Sequence, residues 1–223
     1  MMKRMIALDT WARAPRWRQF WEDDCEIFLS DDVDVTALFS RCAETETSFH
    51  LAVLFTVSRV VNGREEFRMT AADAPDVPCP LPAVWNEVHP VHNVFHEETE
   101  TYTSVCTRWD PSFPVFLSRA KEDIGRAKQM PGSDIPAPPN SFETSAVPWR
   151  HFAAAGARRG ASSLSPLVVW GRAEEREGEG RIKMPLSVQI SHAAADGFHL
   201  ARFLGEFEDG ARRLAQEIGE GIR

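Results

Sequence analysis

Residues 182–199 read IKMPLSVQISHAAADGFH, and this stretch decides the fold class. Leu186, Val188 and Ile190 alternate with Ser187, Gln189 and Ser191. That is the two-residue period of a strand with one face toward a core. The alternation ends at His192, on the face of the apolar residues. Three alanines, Asp196 and Gly197 follow, and then a helical pattern takes over. Leu200, Phe203, Leu204, Phe207, Ala211, Leu214 and Ile218 keep a 3.6-residue period over 198–218, and Gly219 and Gly221 mark its end. A strand that turns directly into a helix predicts a mixed α/β or α+β sandwich, with a histidine at the strand end.

The same mixture extends upstream. Apolar residues at helical spacing predict helices over 34–44 and 47–62, the second presenting Leu51, Leu54, Val57, Ser58 and Val61 on one face. A third helix is expected over 110–127, with Asp110 as N-cap and Pro111 at the first helical position. Strands are expected over 84–95, 102–108, 142–152, 164–171 and 182–192. Breaks fall at 73–82, 131–140 and 173–181. The first and third read as short links, and the second as a surface loop, because neither side of it looks self-sufficient. With no internal repeat, residues 1–223 read as a single domain.

Composition narrows the function. The 223 residues are 43% apolar and 26% charged, the balance of a folded soluble protein. A net charge of −8 and a pI near 5.4 argue against nucleic acid and against an anionic membrane surface as partners. No stretch approaches the roughly 20 apolar residues of a membrane span. The start, MMKRMIALDTWARAPRW, has too short an apolar run for a secretory signal. Cys25, Cys42, Cys79 and Cys106 are scattered with no C-x-x-C, which points to reduced thiols in a cytoplasmic protein. Seven Trp and fourteen Phe imply a large core or a large protein–protein interface.

His192 is the candidate for chemistry, since imidazole is the side chain suited to general base work near neutral pH. Asp196, four residues on, is placed to orient the ring or its loop. Ser191 cannot be its nucleophile, because adjacent strand residues face opposite ways. No G-x-S-x-G is present either. On the residues alone, a capping aspartate beside a backbone-satisfied histidine explains the stretch equally well.

H-x-x-x-D-G at a strand end resembles the signature of the CoA-dependent acyltransferases, and the surrounding blocks resemble the type A chloramphenicol acetyltransferases. These blocks are Asn62, Glu66-Phe67-Arg68-Met69, Val84-Trp85, Val88-His89-Pro90, the run from Val94 to Tyr102, and Ser145-Ala146-Val147-Pro148-Trp149. They continue with Pro185 to Ile190, His192, Asp196 to His199 and Ala201-Arg202-Phe203. The resemblance implies a two-layer mixed-sheet fold and a homotrimer with active sites at subunit interfaces. It implies acetyl-CoA as co-substrate, no permanently bound cofactor, and chloramphenicol as acceptor. His192 is then the base that deprotonates the acceptor hydroxyl for direct attack on the thioester, its other ring nitrogen bonded to its own backbone carbonyl. Ser145 is the oxyanion donor, and Asp196 with Arg13 is an ion pair bracing the histidine loop. Tyr102 and Phe20 line the acceptor site, and Arg172 is a cation near CoA.

The chain departs from that pattern in places. Ser191 stands where the family has a first histidine, Val169 where it has a water-holding threonine, and Ala173 where it has a CoA-stacking tyrosine. The 174–181 hairpin is about two residues longer. Residues 153–163, AAAGARRGASS, lose the family's apolar acceptor wall. The alternatives are therefore the same chemistry on another small alcohol, or a non-catalytic ligand-binding relative. Other clusters have plainer readings. His89, His92 and His96 do not share one strand face and read as surface or interface histidines, so no metal is expected. Gly178-Glu179-Gly180 reads as a hairpin turn, and the Asp23-Asp24 and Asp31-Asp32 pairs as a solvated face. Trp11, Trp17 and Trp21 read as packing, and His199 as structural.

Overall fold

The computed structural model describes residues 2–72, 79–157, 164–176 and 178–221. The chain runs β1 (Lys3–Met5), α1 (Ala14–Glu22), β2 (Glu26–Asp34), α2 (Thr36–Glu44), α3 (Phe49–Gly63), a 3-10 turn (Glu65–Arg68), β3 (Met69–Ala72) and β4 (Leu81–Trp85). It continues with β5 (His89–His96), β6 (Thr101–Cys106), α4 (Phe113–Ala127), β7 (Ser141–Val147), β8 (Leu167–Gly171), β9 (Glu174–Arg176), β10 (Arg181–Ser191) and α5 (Gly197–Glu220).

A large sheet runs in the order β2-β10-β8-β7-β5-β6, with β9 on β10, and a small antiparallel sheet runs β1-β4-β3. The large sheet is mixed: β7 is parallel to both β5 and β8, and its other pairs are antiparallel. The alternation read in β10 places Leu186, Val188 and Ile190 in the core, all fully buried. They pack with Val168 and Trp170 of β8 and Phe142 of β7 under α3 and α5. α3 is buried nearly all round and so forms the centre of the helical layer. Its Ser48 N-cap accepts the Leu51 N–H. α5 buries the seven apolar residues expected of it. It approaches α3 closely at Gly210, where a Cβ would stand 3.1 Å from the Thr56 methyl.

Four boundaries differ from expectation, each for a local reason. The stretch 84–95 is two strands in different sheets. At the corner between them, the Asn62 amide bonds both backbone groups of Val88 at 2.9 Å. Arg68 donates to the Trp85 carbonyl and, at 2.8 Å, to that of Asn86. Side chains from α3 and the 3-10 turn thus satisfy backbone groups that a straight strand would pair in a ladder. The stretch 142–152 ends as a strand at Val147, because Pro148 has no N–H to donate. α4 begins at Phe113 with Ser112 as N-cap and Pro114 in its first turn, two residues later than Asp110-Pro111 implied. Asp110 instead accepts the Ser112 N–H at 2.9 Å. α5 continues through Gly219 to a cap at Gly221.

α1 and β2 were not legible in advance. α1 starts at the Ala14-Pro15 pair and seats a fully buried Trp17, which stacks on Trp21 with ring centroids 5.6 Å apart. β2 pairs antiparallel over its whole length with β10, from Asp34 opposite Lys183 to Glu26 opposite Ser191. Its Asp32 is not a solvated acid: it accepts from His151 Nε2 at 2.9 Å and from Arg176. The three histidines near β5 are held separately. His92 Nε2 lies 2.9 Å from Thr107 Oγ1, and His96 Nε2 lies 2.9 Å from Thr103 Oγ1. His89 Nδ1 accepts the Trp109 N–H. Burial, with His50 nearby, pushes His92 down to about 3, so its ring is neutral in the folded protein. β9 pairs antiparallel with β10, Arg176 opposite Arg181.

Candidate active site

The site is built where β10 ends. His192 leaves the ladder but keeps one sheet-like bond, its N–H donating to Cys25 O just before β2 at 2.8 Å. The chain then turns through the buried residues Ala193, Ala194 and Ala195, and Asp196 becomes the N-cap of α5. All three alanines are fully buried, and small side chains suit a turn packed this closely into the core. His192 Nδ1 lies 3.0 Å from the Ala195 carbonyl. A carbonyl only accepts, so Nδ1 carries the hydrogen and Nε2 keeps its lone pair. This differs from the expected bond to the ring's own backbone carbonyl, which is taken up instead by Arg13 Nη2 at 3.3 Å.

Two groups from α1 complete the cluster. Arg13, the N-cap of α1, forms an ion pair with Asp196 and so ties the start of one helix to the start of another. Phe20 lies flat on the imidazole, centroids 3.8 Å apart and planes within 6°. Asp196 Oδ1 also stands 3.3 Å from His192 Nδ1. His199 Nδ1 accepts the Asp196 backbone N–H at 3.0 Å, a capping contact that holds the turn from the helix side. His192, Asp196, Arg13 and Phe20 are thus assembled within one protomer.

Burial raises the Asp196 carboxyl, but the hydrogen bond and charge of Arg13, with the nearby imidazoles, outweigh it and hold the group below its ordinary value. A carboxylate depressed on folding adds stability that is complete above the ordinary value of 3.8 and is lost as pH falls through the lower native value. Asp196→Asn is therefore expected to be less stable than wild type at neutral pH, with the gap closing at acid pH. Urea unfolding followed from neutral to about pH 2.5 measures this. A gap that stays constant with pH would exclude the ion pair as its source.

Ser145, Tyr102 and Arg172 lie elsewhere in the protomer. Ser145 on β7 is opposite Val169 on β8, and Val169 is opposite Ser187 on β10. With strands about 4.8 Å apart and about 3.3 Å per residue, Ser145 and His192 are roughly 19 Å apart. Tyr102 is 55% exposed on the edge strand β6, paired with exposed Phe95, whose ring meets that of exposed Trp149 edge-on at 4.9 Å. Arg172 follows β8 and bonds Glu174, 2.7 Å from Nε. Beside the His192 strand, residues 154–157 line an open cavity of about 500 Å³ with Glu26, Ile27, Phe28 and Gln189. Of the altered acceptor wall at 153–163, residues 158–163 lie outside the described residues. The sequence reading missed Glu26, Phe28 and Gln189. Gln189 stands on the outward face of β10, in alternation with the buried Val188 and Ile190, and that position alone carried no signal for this contact.

Among known proteins, the family model described as chloramphenicol acetyltransferase matches residues 1–208. A chloramphenicol acetyltransferase of Streptomyces acrimycini is 37% identical over 209 residues, covering 91% of this chain and 91% of the relative. One of Vibrio anguillarum is 30% identical over 223 residues, covering 97% and 98%. Of solved structures, a chloramphenicol acetyltransferase covers 94% of this chain and 100% of its own, with a TM-score of 0.76 and 21% identity. The Azotobacter vinelandii dihydrolipoamide acetyltransferase superposes with a TM-score of 0.66 at 15% identity, covering 92% of this chain and 88% of its own. Both structural likenesses concern the fold.

Proposed function

The chain belongs to the chloramphenicol acetyltransferase family and is an acyltransferase, and from that premise we propose that it moves an acetyl group from acetyl-CoA to the primary hydroxyl of chloramphenicol. One observation carries the reading: the bond from His192 Nδ1 to Ala195 O leaves Nε2 as a free base at the strand end. Nε2 takes the hydroxyl proton as the oxygen attacks the thioester carbonyl. The tetrahedral oxyanion is held by Ser145, and the thiolate of CoA leaves, reprotonated by the imidazolium. No acyl-enzyme forms, so the rate comes from proximity and base catalysis. Arg13 and Asp196 brace the turn that carries the base. Phe20 and Tyr102 contact the acceptor. Arg172 exchanges Glu174 for a phosphate of the donor.

Ser145 and Tyr102 are too far from His192 to serve it in their own protomer, so they serve the histidine of a neighbour. The second face of the large sheet supports this with exposed Phe95, Tyr102 and Trp149, a patch of the kind that a partner subunit covers. We read the assembly as a homotrimer of single-domain subunits acting in the cytoplasm. Among the described residues, no helix is long and apolar enough to cross a membrane.

Release of CoA thiol from acetyl-CoA is expected to require chloramphenicol. A different small alcohol is the second reading, favoured by the methyl-only wall at 154–157. Binding of acetyl-CoA with no thiol release on adding chloramphenicol, but release with another alcohol, would select it.

A further inference from the structure

Residues 153–157 return across β10 on the sheet face away from α3 and α5, and side chains of that strand hold them there. Ser187 Oγ, 2.8 Å from Ser30 Oγ, donates to the Ala155 carbonyl at 2.5 Å. Gln189 does more. Its Oε1 accepts the Ala157 N–H at 3.0 Å, and its Nε2 donates back to the Ala157 carbonyl. One amide thus satisfies both backbone groups of one residue, as a neighbouring strand would. Glu26 fixes the amide's orientation: its Oε2 accepts from Gln189 Nε2 at 3.0 Å, and a carboxylate has no hydrogen to give in return. A Cβ on Gly156 would stand 2.7 Å from Gln189 Oε1, so an alanine there would push the amide aside.

This strap lines the open 500 Å³ cavity beside the His192 strand, together with Glu26, Ile27 and Phe28 of β2. Its side chains are methyl groups and a hydrogen, so the wall has little apolar area with which to pack itself in place. Its position is set by its backbone, which Ser187 holds at Ala155 and Gln189 holds at both groups of Ala157.

We propose that Gln189 is a positioning residue that fixes the acceptor wall of the cavity and thereby sets the KM for the alcohol. The inference rests on the acyl-transfer reading above. Gln189→Leu is expected to raise the KM for the acceptor about tenfold while kcat and the KM for acetyl-CoA stay within about twofold. Gly156→Ala should shift the same constant in the same direction, because the added methyl displaces the same amide. The double variant should be no worse than Gln189→Leu alone, since both act through one contact, whereas independent effects would multiply. Gln189→Glu keeps the side-chain volume and serves if the leucine variant does not fold. Hydrogen exchange reads the clamp without any substrate: the Ala157 N–H should exchange slowly in wild type and fast in the Gln189 variants.

Open-chain exchange at Ala157 in wild type would overturn the clamp. Lost protection with an unchanged acceptor KM, or a multiplicative double variant, would overturn the positioning role. If wild type turns over no alcohol, the acyl-transfer reading fails and takes the proposed effect on KM with it. The exchange result then still decides whether Gln189 holds the strap.

Discussion

His192→Ala is expected to lower turnover by about 10⁴-fold, the upper end of what one positioned general base contributes. That is a loss of roughly 5.5 kcal/mol of transition-state stabilisation. The effect should fall on kcat, because acceptor and donor can still dock while the attacking hydroxyl keeps its proton. The fold should survive. The substitution removes the stack on Phe20 and the bond to Ala195 O, but the Arg13–Asp196 ion pair and the His199 contact to Asp196 still hold the turn. Steady-state kinetics beside a thermal melt make the comparison. A variant that melts like wild type and keeps a tenth of its rate would remove His192 from the chemistry. A variant that melts far lower would assign the ring to the fold.

Ser145→Ala is expected to cost about 10²–10³ in rate, the usual loss for one oxyanion donor. The larger effect appears when this variant is mixed with His192→Ala. The register places the two residues roughly 19 Å apart in a protomer, so under the proposed mechanism each site takes its serine from a neighbour. Unfolding and refolding the two inactive variants together at equal amounts should give assemblies in which some interfaces pair an intact histidine with an intact serine. In a ring of head-to-tail contacts, random mixing makes about a quarter of the interfaces intact, so about a quarter of the wild-type rate should return. The quarter holds for any such ring, so the result tests a shared site separately from the trimer. Sedimentation of the wild type measures the trimer itself. Recovery that never rises above that of the refolded single variants would place both residues in one subunit, against the register.

The turn that carries His192 was legible because its signals are local. Strict alternation in β10, three small residues, a capping aspartate and a 3.6-residue period in α5 each depend on neighbours within a few positions. The ion pair of Arg13 with Asp196 carried no such local signal. Its partners are 183 residues apart, and resemblance to a family named it before any geometry did. α1 and β2 stayed hidden for a related reason. α1 is short, and its tryptophans read as packing without declaring a helix. β2 carries Asp31, Asp32 and Asp34 among few apolar residues, so it reads as solvated acid until Asp32 is seen against His151 and Arg176.

The sequence by itself determined the elements whose own periodicity matches their burial: β10, α3 and α5, and with them the strand end that presents His192. It also identified His192, Asp196 and Arg13 through the family resemblance. Tertiary structure alone decided the break between β4 and β5, because Asn62 and Arg68 satisfy the corner's backbone from elsewhere in the chain. It alone decided which carbonyl holds the His192 ring, and that Gln189 clamps Ala157. Hydrophobic period is set by each segment's own surface. Hydrogen bonds between distant segments exist only after those segments pack, and no spacing along the chain encodes their partners.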